Sequence, residues 1–314
     1  MIGTRMELYR KFRPKKLEQV VGHDAVINVL ERQVCNRSVP HAIMLAGPSG
    51  VGKTTIGRIL RRHVGCHPND FVEMNCAKYR GIDNVRPIEI QAHQAPLAGG
   101  AKMWLMDECH MLTKEAANCL LKILEDTPSH TYFVLATTDE QKVLKTIRTR
   151  CSRHVLSPLA DGDLELIVGK VAEQAGITVP SEVMREIIAN SDGSGRTAVV
   201  LLDQIRSIDS EREMLQIVRQ SSEQRRNAYE LCKLLLWRRS GWSKVVGMLK
   251  MLEHEDPEQM RRLVLACAKT AMLGTNEVVA KRGFIVADAF RDNYFDCGMS
   301  GLVASCYQVY FGDQ

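Results

Sequence analysis

From residue 23 to about 156, short unbroken apolar runs alternate with longer stretches whose apolar positions recur every three or four residues. The first pattern predicts buried strands, the second amphipathic helices. Ala42–Ala46, Phe71–Met74, Lys102–Met106, Tyr132–Ala136 and a short Arg153–Leu156 read as strands; Thr54–His63, a segment near Asp83–His93, and Lys114–Glu125 read as helices. Thr113 is placed to cap the last of these, and Ala117, Leu120, Leu121 and Leu124 share one of its faces. Pro87 has no N–H, so it is expected close to the first turn of its helix, where no bond is lost. Apolar strands alternating with helices predict an α/β domain with a parallel sheet covered on both sides.

After Pro158 the strand pattern stops. Residues 161–206 read as three short helices, split near Gly176–Pro180 and Asp192–Gly195, and from about 208 onward the pattern is helical throughout. Leu231–Trp237 and Met260–Leu273 are its apolar stretches. A chain of 314 residues exceeds one comfortable core. The predicted plan is an α/β domain over 1–158, a small helical domain over 159–207 and a larger all-α domain over 208–314.

Composition changes this picture little: 45% hydrophobic and 25% charged residues exclude a disordered or collagen-like chain. No apolar run approaches the ~18 residues of a membrane span, and no secretory pattern opens the chain, so a cytoplasmic setting away from membranes is expected. The ten cysteines include no Cys-x-x-Cys pair, which leaves a zinc site without support and predicts buried, reduced thiols. The net charge is +5, and residues 1–16 alone hold that excess: Arg5, Arg10, Lys11, Arg13, Lys15 and Lys16 against Glu7. Such an arm favours a polyanion, although a solvated surface would look the same.

The strongest chemical signal is Gly47-Pro-Ser-Gly-Val-Gly-Lys-Thr54, which fits G-x-x-x-x-G-K-[ST] between a predicted strand and a predicted helix. Such a loop cradles phosphates with backbone N–H groups, here from Gly47, Ser49, Gly50, Val51, Gly52 and on into Thr55, aided by the helix N-terminus. Lys53 would reach the outer phosphates of ATP and the Thr54 hydroxyl would ligate Mg²⁺. Met103-Trp-Leu-Met-Asp-Glu108 is an apolar strand ending in two acids. Asp107 would hold the Mg²⁺ water shell and Glu108 would act as general base toward water, which favours hydrolysis. The plain alternative is a surface pair at a strand end.

With these motifs in view, the chain resembles a family. Leu8-Tyr-Arg-Lys-Phe-Arg-Pro14, Val20-Val-Gly22 and the phosphate loop look like the opening of AAA+ clamp-loader ATPase subunits. Asn118-Cys-Leu-Leu-Lys-Ile-Leu-Glu125 and Phe133-Val-Leu-Ala-Thr-Thr-Asp139 are similar to the bacterial polymerase III tau/gamma branch; Arg80-Gly-Ile-Asp-Asn-Val-Arg86 looks like the replication factor C branch. The resemblance is dense from residue 7 to about 206. It implies that Thr138 is the sensor-1 residue, that Arg150 in Thr149-Arg150-Cys151 is an arginine finger acting on a neighbour's ATP, and that Arg196 is the sensor-2 arginine of a helical lid. Tyr9, Arg13 and Val21 fall where the family packs around adenine. Thr149 replaces the family's serine, a small departure.

The resemblance also implies partners: a sliding clamp, primer–template DNA and other loader subunits, several copies of one chain and a non-ATPase chain forming a pentamer joined through a collar. Arg80, Gly81 and Arg86 fall where the family tracks the template backbone. The apolar stretch Ile88–Leu97, with Ala95, Pro96 and Leu97, falls where relatives touch the clamp, or it belongs to the core. The bacterial branch carries a four-cysteine zinc module after the P-loop helix; here His63–Asp70 holds only Cys66, so no zinc is expected. That departure points toward archaeal, eukaryotic or phage-encoded members. A AAA+ helicase or branch-migration motor would share the ATP site but needs a substrate-pore element, and no aromatic pore loop is seen. A binding module without turnover is disfavoured by the intact Lys53, Asp107, Glu108 and Arg150.

Overall fold

The computed structural model describes residues 6–237, 241–253, 255–274, 276–294 and 296–312, without the side chains of 221–225; Arg5 of the basic arm lies outside the described residues. The chain divides into two compact units, Met1–Met214 and Leu215–Gln314. The first runs α1 (Leu8–Lys11), α2 (Asp24–Cys35), β1 (Ala42–Ala46), α3 (Lys53–His63), β2 (Cys66–Asn75), α4 (Ile82–His93), β3 (Ala101–Asp107), α5 (Lys114–Glu125), β4 (Thr131–Thr137), α6 (Lys145–Arg148) and β5 (Ser152–Val155). Helices α7 (Asp161–Ala175), α8 (Ser181–Ala189) and α9 (Gly195–Gln204) follow, and α10 (Glu211–Trp237) begins in this unit.

The five strands form one parallel sheet in the order β2-β3-β4-β1-β5. Successive side chains of a strand face opposite sides, and here both sides are buried. Met44, Trp104, Phe133 and Leu135 pack beneath α4 and α5 with Val85, Ile88, Leu120 and Ile123. Ile43, Leu45, Leu105 and Val134 pack beneath α2 and α3 with Ile27, Leu30, Ile56 and Leu60. Each such burial contributes about 1.5–3 kcal/mol. This double coverage is why the strands read as unbroken apolar runs.

The register sets the functional end. Ala46 at the end of β1 pairs with Thr137 of β4, Met106 pairs with Leu135, and Asp107 pairs with Asn75. The segments leaving β1, β3 and β4 therefore emerge side by side at the carboxyl end of the sheet, where ligands bind in open α/β sheets.

Several boundaries differ from the sequence pattern. β2 starts at Cys66, five residues early, through the polar His67-Pro-Asn-Asp70 and with a register shift before Phe71. Pro87 is the sixth residue of α4, in its second turn rather than its first, so the Asp83 carbonyl loses its helical partner. β5 lies one residue earlier than expected. The expectation of uniformly buried thiols also fails: all ten cysteines are free, but only Cys66, Cys76, Cys109, Cys232 and Cys306 are buried. Thr113 does cap α5, its hydroxyl accepting from Ala116 N–H.

The second unit holds the rest of α10 with α11 (Trp242–Met251), α12 (Pro257–Met272), α13 (Glu277–Ala289) and α14 (Gly298–Phe311). Leu231, Leu235, Val264, Phe290, Leu302 and Val309 anchor its core. Asp256 caps α12 ahead of Pro257, and Asn276 caps α13. Within this unit Glu258 is buried but fully partnered: Arg261 grips both its oxygens at 2.7 Å, Arg262 donates at 3.0 Å and Tyr294 N–H at 3.0 Å.

Candidate nucleotide site

The loop after β1 turns by means of glycines. Gly52 has φ +110° and open space around it, so the backbone conformation alone calls for glycine there. Gly50, at φ +82°, is required twice: a Cβ would also stand 2.0 Å from Ser194 Oγ. The loop ends at the N-terminus of α3, whose first residue, Lys53, is buried and folds back so that its Nζ donates to the Gly47 and Pro48 carbonyls at 2.7 and 2.6 Å.

Burial lowers the Lys53 pKa, with Glu108 and Asp107 opposing the shift and Arg196 adding to it. Burial, then the neighbouring Glu108 carboxylate, raises that of Asp107. Glu108 follows the strand with φ +52°, a conformation uncommon for a side-chain-bearing residue and frequent at functional sites. The Thr138 hydroxyl donates to Glu108 Oε2 at 2.8 Å. His110, which the sequence reading did not single out, brings Nδ1 to 3.5 Å from the same oxygen and to 2.9 Å from Thr137 Oγ1. Its only sequence signal is position, three residues past Asp107.

A cavity of about 690 Å³ opens here. Tyr9, Arg13, Val21, Ser49, Gly50, Val51, Gly52, Lys53, Thr54, Thr55, Asp107, Glu108 and Arg196 all line it, joined by apolar Leu8, Phe12, Leu159, Ile167 and Val171. The loop end is polar and the α1–α7 end apolar, which matches a molecule with a charged tail and a flat base. Arg196 N–H donates to the Gly50 carbonyl at 3.3 Å and its guanidinium lies 6.0 Å from the Tyr9 ring. Leu8 N–H donates to Asp203 of α9, tying α1 to that helix. Arg13 has a buried Nη1 without a protein partner, and burial followed by Arg58 lowers its pKa. The residues thus fit a nucleotide and a divalent cation: an amine satisfied only by loop carbonyls, a hydroxyl in the first turn of α3 and a carboxylate held in a poorly solvated place.

Other candidates lie outside this lining. Gly47 belongs to the loop without lining the cavity, and Thr138 joins the site through Glu108. Arg150 is ion-paired with Glu125 of its own chain and donates to Thr146 O at 3.1 Å. Arg80 and Arg86 are exposed, flanking Gly81 at the N-cap of α4. Leu97 is 83% exposed, which removes it from the core; its N–H and that of Ala98 are held by the buried Asp70 at 2.7 and 3.0 Å. Among the described residues, no group of three or more His, Cys, Asp or Glu could hold a metal ion and no helix is long and apolar enough to cross a membrane.

A glycine loop leaving a buried strand, two acids closing a second strand, a threonine beyond a third and a helical arginine over one cavity make up a P-loop nucleotide-binding module. Structures of RuvB from Thermotoga maritima share the fold, with TM-scores of 0.57–0.58 at 20% identity, covering 76% of this chain and 85% of that one. In sequence the chain is similar to subunits of DNA polymerase III. It is 33% identical over 223 residues to the DNA polymerase III subunit gamma/tau of Mycobacterium tuberculosis, 64% of this chain and 39% of that one. It is 32% identical over 218 residues to the DNA polymerase III subunit tau of Bacillus subtilis, 63% of this chain and 39% of that one. It is 30% identical over 217 residues to the gamma subunit of Buchnera aphidicola, 62% and 60% of the two chains. The chain therefore spans about two fifths of the length of its mycobacterial and Bacillus relatives. The family model for the DNA polymerase III delta subunit matches residues 75–160, and that for the Sigma-54 interaction domain matches residues 20–83.

Proposed function

We propose that this chain is the ATP-hydrolysing motor subunit of a sliding-clamp loader, opening the clamp and placing it on primer–template DNA. The observation that carries the proposal is the convergence of Lys53, Asp107, Glu108 and Thr138 at one end of the sheet, beside a cavity of about 690 Å³ whose far end is apolar. The loop N–H groups and Lys53 hold the phosphates, while Tyr9, Arg13 and Val21 flank the base. Thr54 and Asp107 would hold Mg²⁺, which when bound offsets charge on the outer phosphates. Glu108 takes the proton from the attacking water, and Thr138 fixes the oxygen it touches. Residues 159–207 serve as lid, with Arg196 reaching the nucleotide, and 208–314 as collar between subunits of a pentamer.

Arg150 acts in trans. It lies outside its own cavity lining, which supports a role toward a neighbouring subunit's ATP; its ion pair with Glu125, the surface salt bridge that is the rival reading, would have to open for that. The exposed Arg80 and Arg86, with the Gly81 end of α4, contact the DNA backbone without reading bases, and the exposed Leu97 meets the clamp. The protein works in the cytoplasm and carries no zinc. The test is ATP turnover with and without clamp and primer–template. Strong joint stimulation supports a loader; stimulation by DNA alone favours a branch-migration motor.

A further inference from the structure

Glu108 has two carboxylate oxygens in unlike surroundings. Oε2 receives the Thr138 hydroxyl at 2.8 Å and has His110 Nδ1 at 3.5 Å; Oε1 has no protein partner among the described residues. The His110 side chain is only 6% exposed, while that of Glu108 is 30% exposed. Its Nδ1 also lies 2.9 Å from Thr137 Oγ1, an oxygen that already accepts the Asp139 N–H at 3.0 Å. The charged groups facing the ring are Glu108, Asp139, Lys142 and Lys53, and burial favours its neutral form.

A neutral imidazole has two tautomers. With the proton on Nε2, Nδ1 accepts the Thr137 hydroxyl hydrogen, but its lone pair also stands 3.5 Å from a carboxylate oxygen, two negative ends together. With the proton on Nδ1, the N–H goes to Thr137 Oγ1 at 2.9 Å, and its positive end stands 3.5 Å from Glu108 Oε2, which stabilises the anion. Taken with the hydrolytic role proposed above, on which it rests, we infer that His110 is a positioning residue for Glu108. The Thr138 hydroxyl holds Oε2 and the Nδ1–H, bonded to Thr137 Oγ1, sets its positive end beside it, which leaves Oε1 as the oxygen that receives the water proton. The clamp joins the turn after β3 to the end of β4, so the base is aligned from two elements rather than by its own rotamer.

Two measurements test this. In nucleotide-free protein, nitrogen NMR of labelled histidine should show the proton of His110 on Nδ1, and Glu108→Gln should shift population toward Nε2. An Nε2–H ring in the parent chain overturns the inference without reference to activity. Kinetically, His110→Leu should lower kcat about 10–100-fold, the scale of a misplaced catalytic group, with nucleotide affinity within about twofold of the parent. His110→Asn restores an N–H near the Nδ1 position and should recover most of that loss. Equal losses in both variants, or none in either, would mean that the ring only fills space and would sink the inference. A parent chain with no turnover under any condition overturns the hydrolytic role itself, and the tautomer measurement, made without nucleotide, keeps the two failures apart.

Discussion

Lys53 and Glu258 are about equally hidden, 6% and 5% exposed, yet their surroundings treat them in opposite ways. Glu258 is surrounded by donors. Arg261 is its main support, Tyr294 N–H and Arg262 add to it, and the carboxyl is pulled down to about 2. Arg261 also donates to the Phe290 and Arg291 carbonyls, so the cluster ties the start of α12 to the end of α13. Lys53 has only two carbonyls of its own loop, and its burial works against its charge. Asp107 is likewise held where its charge is disfavoured. A buried charge with every bond made is a structural fastening; one left short of counter-charge is poised for a ligand.

The comparison can be broken in four places. The largest effect is expected on turnover. Arg150→Ala should leave the chain's own ATP affinity near normal while turnover falls by at least ~10², at or below the lower end of arginine-finger effects. Glu108→Gln should bind ATP without hydrolysing it. Mixed, the two variants should regain partial activity, because some sites then pair an intact base with an intact finger. A mixture no more active than its parts, once mixed assemblies are seen by sizing, would count against action in trans.

Next comes Lys53→Ala, which should weaken nucleotide binding at least ~10²-fold, since charge-assisted bonds of about 1.5–3 kcal/mol each are lost. Thermal melting should hardly move, as the lysine fastens nothing but its own loop. Equilibrium binding and calorimetry on one sample decide both halves.

Glu258→Gln should do the reverse: unfolding free energy should drop by about 1.5–3 kcal/mol with nucleotide affinity unchanged. The pH dependence has a definite sign. The folded value of Glu258 lies below its ordinary 4.5, so its stabilisation is complete above that value and is lost as pH falls toward about 2. Denaturation curves between those limits should be shallower in the variant. The smallest effect is expected from Glu125→Gln, which removes the half-exposed partner of Arg150 and should change stability by no more than ~1 kcal/mol.

How much of this could be read in the sequence follows from how local each feature is. β1, α5 and the phosphate loop announce themselves because their signals lie within a dozen adjacent residues. α2 did not, since only Ile27 and Leu30 of its twelve residues are buried and its cap is His23 at φ +61° rather than a side-chain acceptor. The early start of β2 is hidden because Cys66 pairs with Ala101 of β3 while the polar residues 67–70 fall in a register shift before Phe71. The cavity lining was largely legible because each motif names its own residues. What the motifs omit are contacts across the chain: His110 against Thr137, Arg150 against Glu125, Asp70 against the loop carrying Leu97. Those depend on where separate elements come to rest.

Where the phosphate loop meets α9, the backbone of one segment bears directly on the other. Ser194 Oγ occupies the room that a Cβ on Gly50 would need, and that oxygen is itself immobilised by accepting the Thr197 N–H at 3.2 Å. Side chains absorb small displacements by changing rotamer, but a backbone seated on a fixed oxygen has no such slack. Loop and helix are therefore in direct contact, through Ser194 Oγ and through the Arg196 N–H on the Gly50 carbonyl, so that a displacement of α9 would press on the cradle itself.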